Sequence, residues 1–201
     1  MSASDQEYLA YQTNRGFLRR LVRRFYLKKI ASHCRGSVID YGCGAGELLE
    51  YLSQDSIGLE VNKAAVDYCS QKSLKVFEID HSLPSRTLAP FINENFRTIV
   101  FNHVLEHIPQ PEIFFKSLIE TLAITNISRL IIVSPGEKGF SSDKTHQVFI
   151  DTNWFNDYAF LQRPELKVAA SYYFPINLNY AGRFFTHNEW HLIIDFVKNE
   201  A

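Results

Sequence analysis

The stretch VIDYGCGAGELLEYL, residues 38–52, decides the fold of this chain. Gly42, Gly44 and Gly46 alternate over five positions, between an apolar run and a helical pattern. A glycine-rich turn between a strand and a helix is where an open α/β sheet binds ligands, because glycine adopts angles that other residues avoid and has no Cβ in the way. Asp40 comes directly before this turn. The stretch predicts a ligand site at the end of a first strand.

The glycine spacing and the charge of Asp40 narrow the class of ligand. A dinucleotide site favours G-x-G-x-x-G, with a pyrophosphate at the N-terminus of the helix. This turn reads G-x-G-x-G, one residue tighter. The carboxylate of Asp40 would repel a pyrophosphate, but it suits a cation such as an ammonium or a sulfonium. A nicotinamide dehydrogenase is therefore disfavoured.

Strands alternate with helices after residue 36. The apolar runs predict strands at 37–41, 56–60, 74–80, 97–102 and 129–134, and the periodic segments predict helices at 47–53, 63–71 and 111–125. This alternation is typical of βαβ units and a parallel sheet. The tail departs from it, because a helix at 151–161 is followed by strands at 166–173 and 190–197 with no helix between them. Two such strands favour an antiparallel pair at the sheet edge.

Residues 5–33 predict a helix with one apolar face, since apolar residues recur at spacings of three and four. Residues 1–30 hold seven Lys and Arg residues against Asp5 and Glu7, whereas the rest of the chain is acidic. We interpret this segment as a packed helix with a solvated basic side. The alternative is a surface that meets anionic lipid, nucleic acid or a phosphorylated substrate.

Two further acidic residues end the next two predicted strands. Glu60 follows Asp40 by twenty residues, at the place where a carboxylate accepts hydrogen bonds from both ribose hydroxyls of a nucleoside. Asp80 ends the third strand, where it can accept from an adenine amino group. Each acid alone would be interpreted as a solvated turn or a helix cap. Three acids at three successive strand ends predict a nucleoside site.

The segments VIDYGCGAGELLEYL, IGLE, FEIDHSLP and VFNHVLEHIPQP together resemble the class I S-adenosylmethionine-dependent methyltransferases, over about residues 36–150. The resemblance implies an α/β fold: a Rossmann-like, doubly wound sheet of seven strands, mostly parallel with an antiparallel C-terminal strand pair, and helices on both faces. It also implies S-adenosylmethionine as the cofactor.

The same resemblance assigns the cofactor-binding residues. Asp40, Gly42, Gly44 and Gly46 would cradle the methionine end, Glu60 the ribose, and Asp80 with His81 the adenine, while Asn102 and His103 would line the methionine and substrate side. Cys43 and Val61 complete the predicted cofactor set. We divide the chain, as one domain, into a basic helical segment (1–35), a cofactor-binding core (36–150) and a C-terminal helix and strand pair (151–201).

Histidines near the strand ends are the candidates for proton transfer. An oxygen nucleophile needs its proton removed, and imidazole titrates near neutral pH. His146, in the polar segment SSDKTHQVF after the fifth strand, and His107, in LEHIP, are the predicted catalytic pair. The alternatives are a loop histidine bound to a carbonyl for His146 and a structural cap for His107.

A metal-assisted reaction is a less favoured alternative. His103-x-x-Glu106-His107, with the distant His146, resembles the Glu-x-x-Glu-His metal motif of some ubiquinone-pathway and small-RNA methyltransferases, with His in place of the first Glu. Two imidazoles and a carboxylate can hold a divalent cation that acidifies a substrate hydroxyl. Because HVLEH also occurs in relatives that are not known to need a metal, our prediction assigns no metal ligands.

The predicted function is methyl transfer to a small-molecule, lipid or glycan acceptor, at oxygen. The alternatives are an RNA or protein methyltransferase that uses the basic N-terminal helix, and a non-catalytic S-adenosylmethionine-binding scaffold. DNA is disfavoured as a partner, because the fourth strand ends in FNHV and not in an Asn/Asp-Pro-Pro-aromatic segment, and no Pro-Cys segment is present. The oligomeric state is left open.

The composition of the chain indicates in which cellular compartment we expect the protein. No apolar run reaches the roughly 18 residues that span a bilayer, and the first residues lack the apolar core of a signal peptide. The cysteines Cys34, Cys43 and Cys69 are odd in number and show no CxxC spacing, which is typical of reduced thiols. We therefore expect a cytoplasmic protein with no stable membrane insertion.

Overall fold

The computed structural model describes residues 6, 9–10, 17–80 and 83–197. Predictions on the remaining residues, among them the one for His81, lie outside the described residues.

Seven strands form one sheet. They are β1 (Ser37–Tyr41), β2 (Ile57–Glu60), β3 (Val76–Glu78), β4 (Phe96–Asn102), β5 (Arg129–Pro135), β6 (Leu166–Phe174) and β7 (Glu189–Phe196). The spatial order is β3-β2-β1-β4-β5-β7-β6. The first five strands pair in parallel, while β7 is antiparallel to both β5 and β6. This confirms the predicted mostly parallel sheet with an antiparallel C-terminal pair.

The helices cover both faces of the sheet. They are α1 (Phe17–His33), α2 (Lys63–Gln71), α3 (Pro84–Thr87), α4 (Pro111–Leu122), α5 (Glu137–Ser141) and α6 (Thr152–Asp157). Successive strand residues point to opposite faces. Val38 and Val100 pack on α1 through Tyr26, Leu27 and Ile30. Their neighbours Ile39 and Phe101 join the other core, with residues of α4 and α6 such as Phe115, Leu118 and Phe155.

The register brings the strand ends to one edge. Asp40 lies beside Gly58 of β2 and Val100 of β4, and Asn102 lies beside Val133 of β5. Because β7 is antiparallel, its first residue, Glu189, pairs with Pro135 and reaches the same carboxyl edge. This edge therefore collects side chains from both halves of the chain.

The helix predicted at 47–53 is wrong. Only a 3-10 turn forms there, at Leu49–Tyr51. Gly42, Gly44 and Gly46 all have positive φ, so no helix can begin before Glu47. The chain must also turn back into β2, which begins at Ile57. One 3-10 turn is enough to bury Leu48 and Leu49.

Other predicted boundaries shift by a few residues. The helix predicted at 151–161 ends at Asp157, because Ala159 takes a left-handed φ of 53° and a separate 3-10 turn follows at Phe160–Gln162. The helix predicted at 111–125 ends at Leu122, and the strand predicted at 74–80 contracts to Val76–Glu78. Within the described ranges, no helix combines the length and apolar character needed to cross a membrane.

Candidate active site

A cavity of about 220 Å³ opens at the carboxyl edge of the sheet. Five parts of the chain line it: α1, the glycine turn, residues 102–107 at and after the end of β4, residues 135–146 and residues 174–189. Of the predicted cofactor residues, the lining includes Gly42, Cys43, Gly44, Asn102 and His103, and both predicted catalytic histidines contribute to it. The cavity thus joins the glycine turn to the candidate base.

The glycine turn folds on β2. The N–H groups of Gly42 and Cys43 donate to the carbonyl of Leu59, at 2.7 and 3.2 Å. Gly42 has a φ of 71°, and a Cβ there would lie 2.6 Å from Val104 Cγ2, so glycine is required. The turn therefore presents main chain to the cavity at Gly42 and Gly44.

Glu60 ties this turn to α2. Its side chain is buried, and its two oxygens accept from the N–H groups of Gly44 and Asn62, at 2.7 and 2.8 Å. Asn62 in turn caps α2 by accepting from the N–H of Ala65. Glu60 therefore fixes the glycine turn and the start of α2 relative to each other at the carboxyl edge.

Asp40 is a buried carboxylate with spare bonding capacity. It is 1% exposed, and among the described residues its Oδ1 has no hydrogen-bond partner. Burial raises the pKa of Asp40 to about 7; Arg23 opposes this and Glu60 adds to it. A buried carboxylate of this kind fits a cationic or hydrogen-donating ligand group next to the glycine turn.

Helix α1 closes the cavity from the other side. The hydroxyl of Tyr26 donates to Asn102 Oδ1, and Arg23 pairs with Glu47 beside the glycine turn. The sequence prediction placed the basic residues of this helix on a solvated side, but Arg23 is only about a quarter exposed and lines the cavity. Periodicity alone could not identify Arg23, because it assigns only apolar residues to the packed face of a helix.

His103 is held between two carboxylates. Its Nδ1 is 3.1 Å from Glu106 Oε1, and its Nε2 is 3.3 Å from Glu189 Oε1. Burial by itself lowers the pKa of His103, but Glu189 and Glu106 outweigh it and raise the pKa to about 10. His103 is therefore an imidazolium at neutral pH with both nitrogens donating, and it cannot act as a base.

Glu189 was missed by the sequence prediction. It stands at the start of a tail strand with no motif around it, and only the antiparallel pairing brings it to the cavity. Its neighbour on β7, His191, is fully buried and stacks on Tyr172, with ring centroids 5.1 Å apart. Burial lowers the pKa of His191 to about 4, so this ring is neutral.

The two predicted catalytic histidines lie together. The ring centroids of His107 and His146 are 4.7 Å apart. His146 Nδ1 lies 2.8 Å from the carbonyl of Phe140, which can only accept, so Nδ1 carries a proton and, in the neutral ring, Nε2 has the lone pair. Burial lowers the pKa of His107, which favours its neutral form.

The tautomer of His107 follows from its contact with the segment that carries His146. Thr145 Oγ1 donates to Asp143 Oδ1 at 2.6 Å, so it accepts from His107 Nδ1 at 3.1 Å. His107 therefore also keeps a lone pair on Nε2. Contacts with residues 140–145 thus orient both imidazole rings at the cavity, each with its Nδ1 hydrogen-bonded.

Glu106 adds a carboxylate to this pair. One ligand atom from each of Glu106, His107 and His146 lies within 4.8 Å of the other two. Glu106 is fully buried, and its Oε2 has no hydrogen-bond partner among the described residues. A carboxylate with two imidazoles is a donor set that divalent transition metals and zinc accept. His103, the first residue of the motif, already donates from both nitrogens and therefore adds no metal ligand.

The remaining predicted residues lie beside the cavity. Gly46 packs inward, since a Cβ there would lie 2.6 Å from Leu74 Cδ1. The side chain of Cys43 lies against Gly58 of β2. Val61 is 41% exposed and Asp80 is also exposed, further along the carboxyl edge. Together with Glu60, these two residues continue the line of strand ends away from the cavity.

Comparisons with known proteins agree with this geometry. A family model described as a methyltransferase domain matches residues 9–154. The fold is similar to that of a SAM-dependent methyltransferase from Archaeoglobus fulgidus, with a TM-score of 0.64, 19% identity, and coverage of 96% of this chain and 100% of that one. A search of the curated proteins finds no significant match.

Two other similar structures are of methyltransferases whose names state the acceptor. Magnesium protoporphyrin IX methyltransferase from Synechocystis, with bound SAM, has a TM-score of 0.62 and 16% identity, covering 96% of this chain and 90% of its own. A small RNA methyltransferase has a TM-score of 0.61 and 16% identity, covering 91% of this chain and 26% of its own. At these identities the likeness shows a shared fold, and the acceptors differ between the two.

Proposed function

The chain belongs to the methyltransferase domain family, and from that premise we propose that it methylates a hydroxyl oxygen of a small-molecule, lipid or glycan acceptor. It is an S-adenosylmethionine-dependent methyltransferase. The proposal of an oxygen acceptor rests on one observation: His107 and His146 are held by their Nδ1 atoms at the cavity that the glycine turn also lines, which leaves each Nε2 as the atom that can accept a proton.

The cofactor would lie along the carboxyl edge. The spare oxygen of Asp40 and the main chain at Gly42 and Gly44 support a place for the methionine end, with Cys43, Asn102 and His103 beside it. Glu60 at the end of β2 would accept from the ribose hydroxyls, with Val61 next to it, and Asp80 stands where an adenine would reach. The cofactor supplies an electrophilic methyl group on a sulfonium.

The protein's own contribution is orientation and proton removal. A hydroxyl is a weak nucleophile until a base takes its proton. In the proposed mechanism, Nε2 of His146 accepts the acceptor's proton while Phe140 holds Nδ1–H and fixes the ring. His107, 4.7 Å away, is the second candidate for this transfer. Arg23 and Tyr26 of α1 exclude water from the opposite wall.

The test is a His146→Ala variant assayed with labelled methyl donor and a panel of hydroxylated acceptors. We expect kcat to fall by about 10²–10⁴-fold, the range for a lost general base, with little change in the affinity for S-adenosylhomocysteine. Lys144→Ala, an exposed change in the same loop, is the control and should keep its activity. Unchanged turnover in His146→Ala would remove this histidine from the reaction.

A second candidate, metal-assisted transfer, is favoured by the cluster of Glu106, His107 and His146. These residues would hold a divalent cation that lowers the pKa of an acceptor hydroxyl. Calorimetric titration with Mn²⁺ separates the two candidates without an acceptor. Binding that is lost in Glu106→Gln would support the metal, whereas no Mn²⁺ binding to the wild-type protein would leave the base mechanism.

The other predicted acceptor classes can be tested in the same protein. An RNA acceptor predicts binding whose affinity falls steeply with salt. The inward position of Arg23 removes one of the charges that such a polymer would contact. A non-catalytic scaffold predicts cofactor binding with no transfer to any acceptor.

A further inference from the structure

The connection between β6 and β7 exposes an unusual amount of apolar surface. Among the described residues, five of the fourteen exposed large apolar side chains lie on residues 175–188, which we call the rim segment. They are Ile176, Leu178, Tyr180, Phe184 and Phe185, and Phe184 is 75% exposed. A concentration of this kind in a short segment marks an interaction surface, since scattered single apolar residues are the norm.

The topology places this rim segment at the mouth of the cavity. Phe174 ends β6 and Glu189 begins β7 at the carboxyl edge, and these two residues pair with each other. Pro175, Thr186 and His187 line the cavity. The exposed side chains therefore belong to the segment that borders the opening of the cavity.

Basic residues share the same mouth. Three stretches contribute to it, namely residues 22–26 of α1, residues 135–146 and the rim segment. Four exposed Lys and Arg residues on these stretches stand against two acids, Glu137 and Asp143, although the whole chain has a net charge of −1. The exposed basic residues are Arg24, Lys138, Lys144 and Arg183, whereas Arg23 is turned inward and paired with Glu47.

The polar contacts in this region attach the rim segment to the body of the protein. Lys138 Nζ donates to the carbonyl of Phe184 at 2.9 Å, and Arg183 Nε pairs with Glu137 at 3.0 Å. On α1, the neighbouring side chains Arg24 and Phe25 are both exposed. The mouth therefore combines apolar tips with a net positive charge.

We propose that the rim segment docks on the surface of a bilayer that contains anionic lipids. Aromatic and aliphatic side chains on a loop, flanked by Lys and Arg, are the pattern that partitions into the headgroup boundary. A bilayer can accept apolar side chains that project from an irregular loop. A protein partner would instead need a surface whose shape is complementary to that loop. A partner protein seated here would also close the cavity, whereas a bilayer would present an acceptor to it.

The docking step is independent of methyl transfer, and only its consequence, that the acceptor is a lipid, rests on the proposed function. The test is co-sedimentation of the full chain with vesicles of phosphatidylcholine alone and of phosphatidylcholine with phosphatidylglycerol. We expect the protein to pellet with the anionic vesicles and to be released by high salt. Phe184→Ser/Phe185→Ser should lower the partition coefficient by about tenfold or more.

The matched control is Ile124→Ser/Val197→Ser. These residues are also exposed and apolar, but they lie at the opposite edge of the sheet, where β5 begins and β7 ends. This variant should bind vesicles as the wild type does, and both variants should keep their affinity for S-adenosylhomocysteine, which shows that they fold. Absence of wild-type binding, equal binding to neutral vesicles, or an equal loss in both double variants would overturn the proposal.

Discussion

At the scale of single residues, Asp40 is a buried carboxylate whose ionisation lowers the stability of the ligand-free protein. The fold buries this carboxylate and leaves one oxygen without a protein partner among the described residues. Its pKa of about 7 lies above the ordinary value of 3.8, so the folded protein holds the proton more tightly than the unfolded chain does. Ionisation of Asp40 therefore costs stability progressively from about pH 4 to about pH 7, and the full cost is present above pH 7.

We expect Asp40→Asn to stabilise the ligand-free protein at pH 8 and to weaken its binding of S-adenosylhomocysteine. The amide has no charge to desolvate, so the melting temperature at pH 8 should rise by at least about 4 °C, and by much less at pH 5. Thermal unfolding at the two pH values measures this difference. A variant that melts below the wild type at pH 8 would contradict the account of Asp40.

Asp195→Asn is the control for the sign of this effect. Asp195 accepts from Arg129 at 2.7 and 3.0 Å, and this hydrogen bonding holds its pKa below the usual range. A carboxylate with a lowered pKa stabilises the fold above pH 4. Asp195→Asn should therefore destabilise the protein at both pH 5 and pH 8.

At the scale of elements, α1 links the N-terminal part of the chain to the site. Tyr26 is nearly fully buried, and burial raises its pKa well above 10, so its hydroxyl is protonated and donates to Asn102. Its ring also meets His103 and His191 edge-on, with centroids 6.2 and 6.0 Å apart. The helix thus supports the end of β4 and the imidazolium together.

We expect Tyr26→Phe to lower the free energy of unfolding by about 1–2 kcal/mol, because Asn102 Oδ1 loses its donor while the ring contacts remain. It should also weaken binding of S-adenosylhomocysteine, since Asn102 lines the cavity. Urea unfolding and calorimetry measure the two effects. Phe25→Ala, on the exposed side of the same helix, should change neither; an equal loss in both variants would argue against the link.

The elements differ in how far the sequence predicted them. Long apolar runs such as β4 and β5 were placed within one residue at each end, since a strand buried on both faces needs a continuous apolar run. The segment after Gly46 was predicted as a helix from its leucine spacing. That spacing cannot distinguish one 3-10 turn from a short helix, and the positive φ angles of the glycines decided the outcome.

At the scale of the whole molecule, the parallel core was predictable and the tail's part in the site was not. Asp40 and Glu60 could be placed at one edge because parallel strands end together. The pairing of His107 with His146 follows from loops that meet at that edge, and both residues had been singled out. The positions of Glu189 and Arg23 depend on how a tail strand and an N-terminal helix fold back, which no local pattern in the sequence specifies.

The central claim is that the glycine turn and the acid at each strand end bind S-adenosylmethionine, and calorimetry tests this claim most directly. The purified protein should be titrated with S-adenosylhomocysteine and, separately, with NAD. The account predicts micromolar binding of S-adenosylhomocysteine and none of NAD, because the tight turn and the carboxylate of Asp40 favour a cationic methionine end over a pyrophosphate. Binding of NAD, or no binding of S-adenosylhomocysteine, would contradict it.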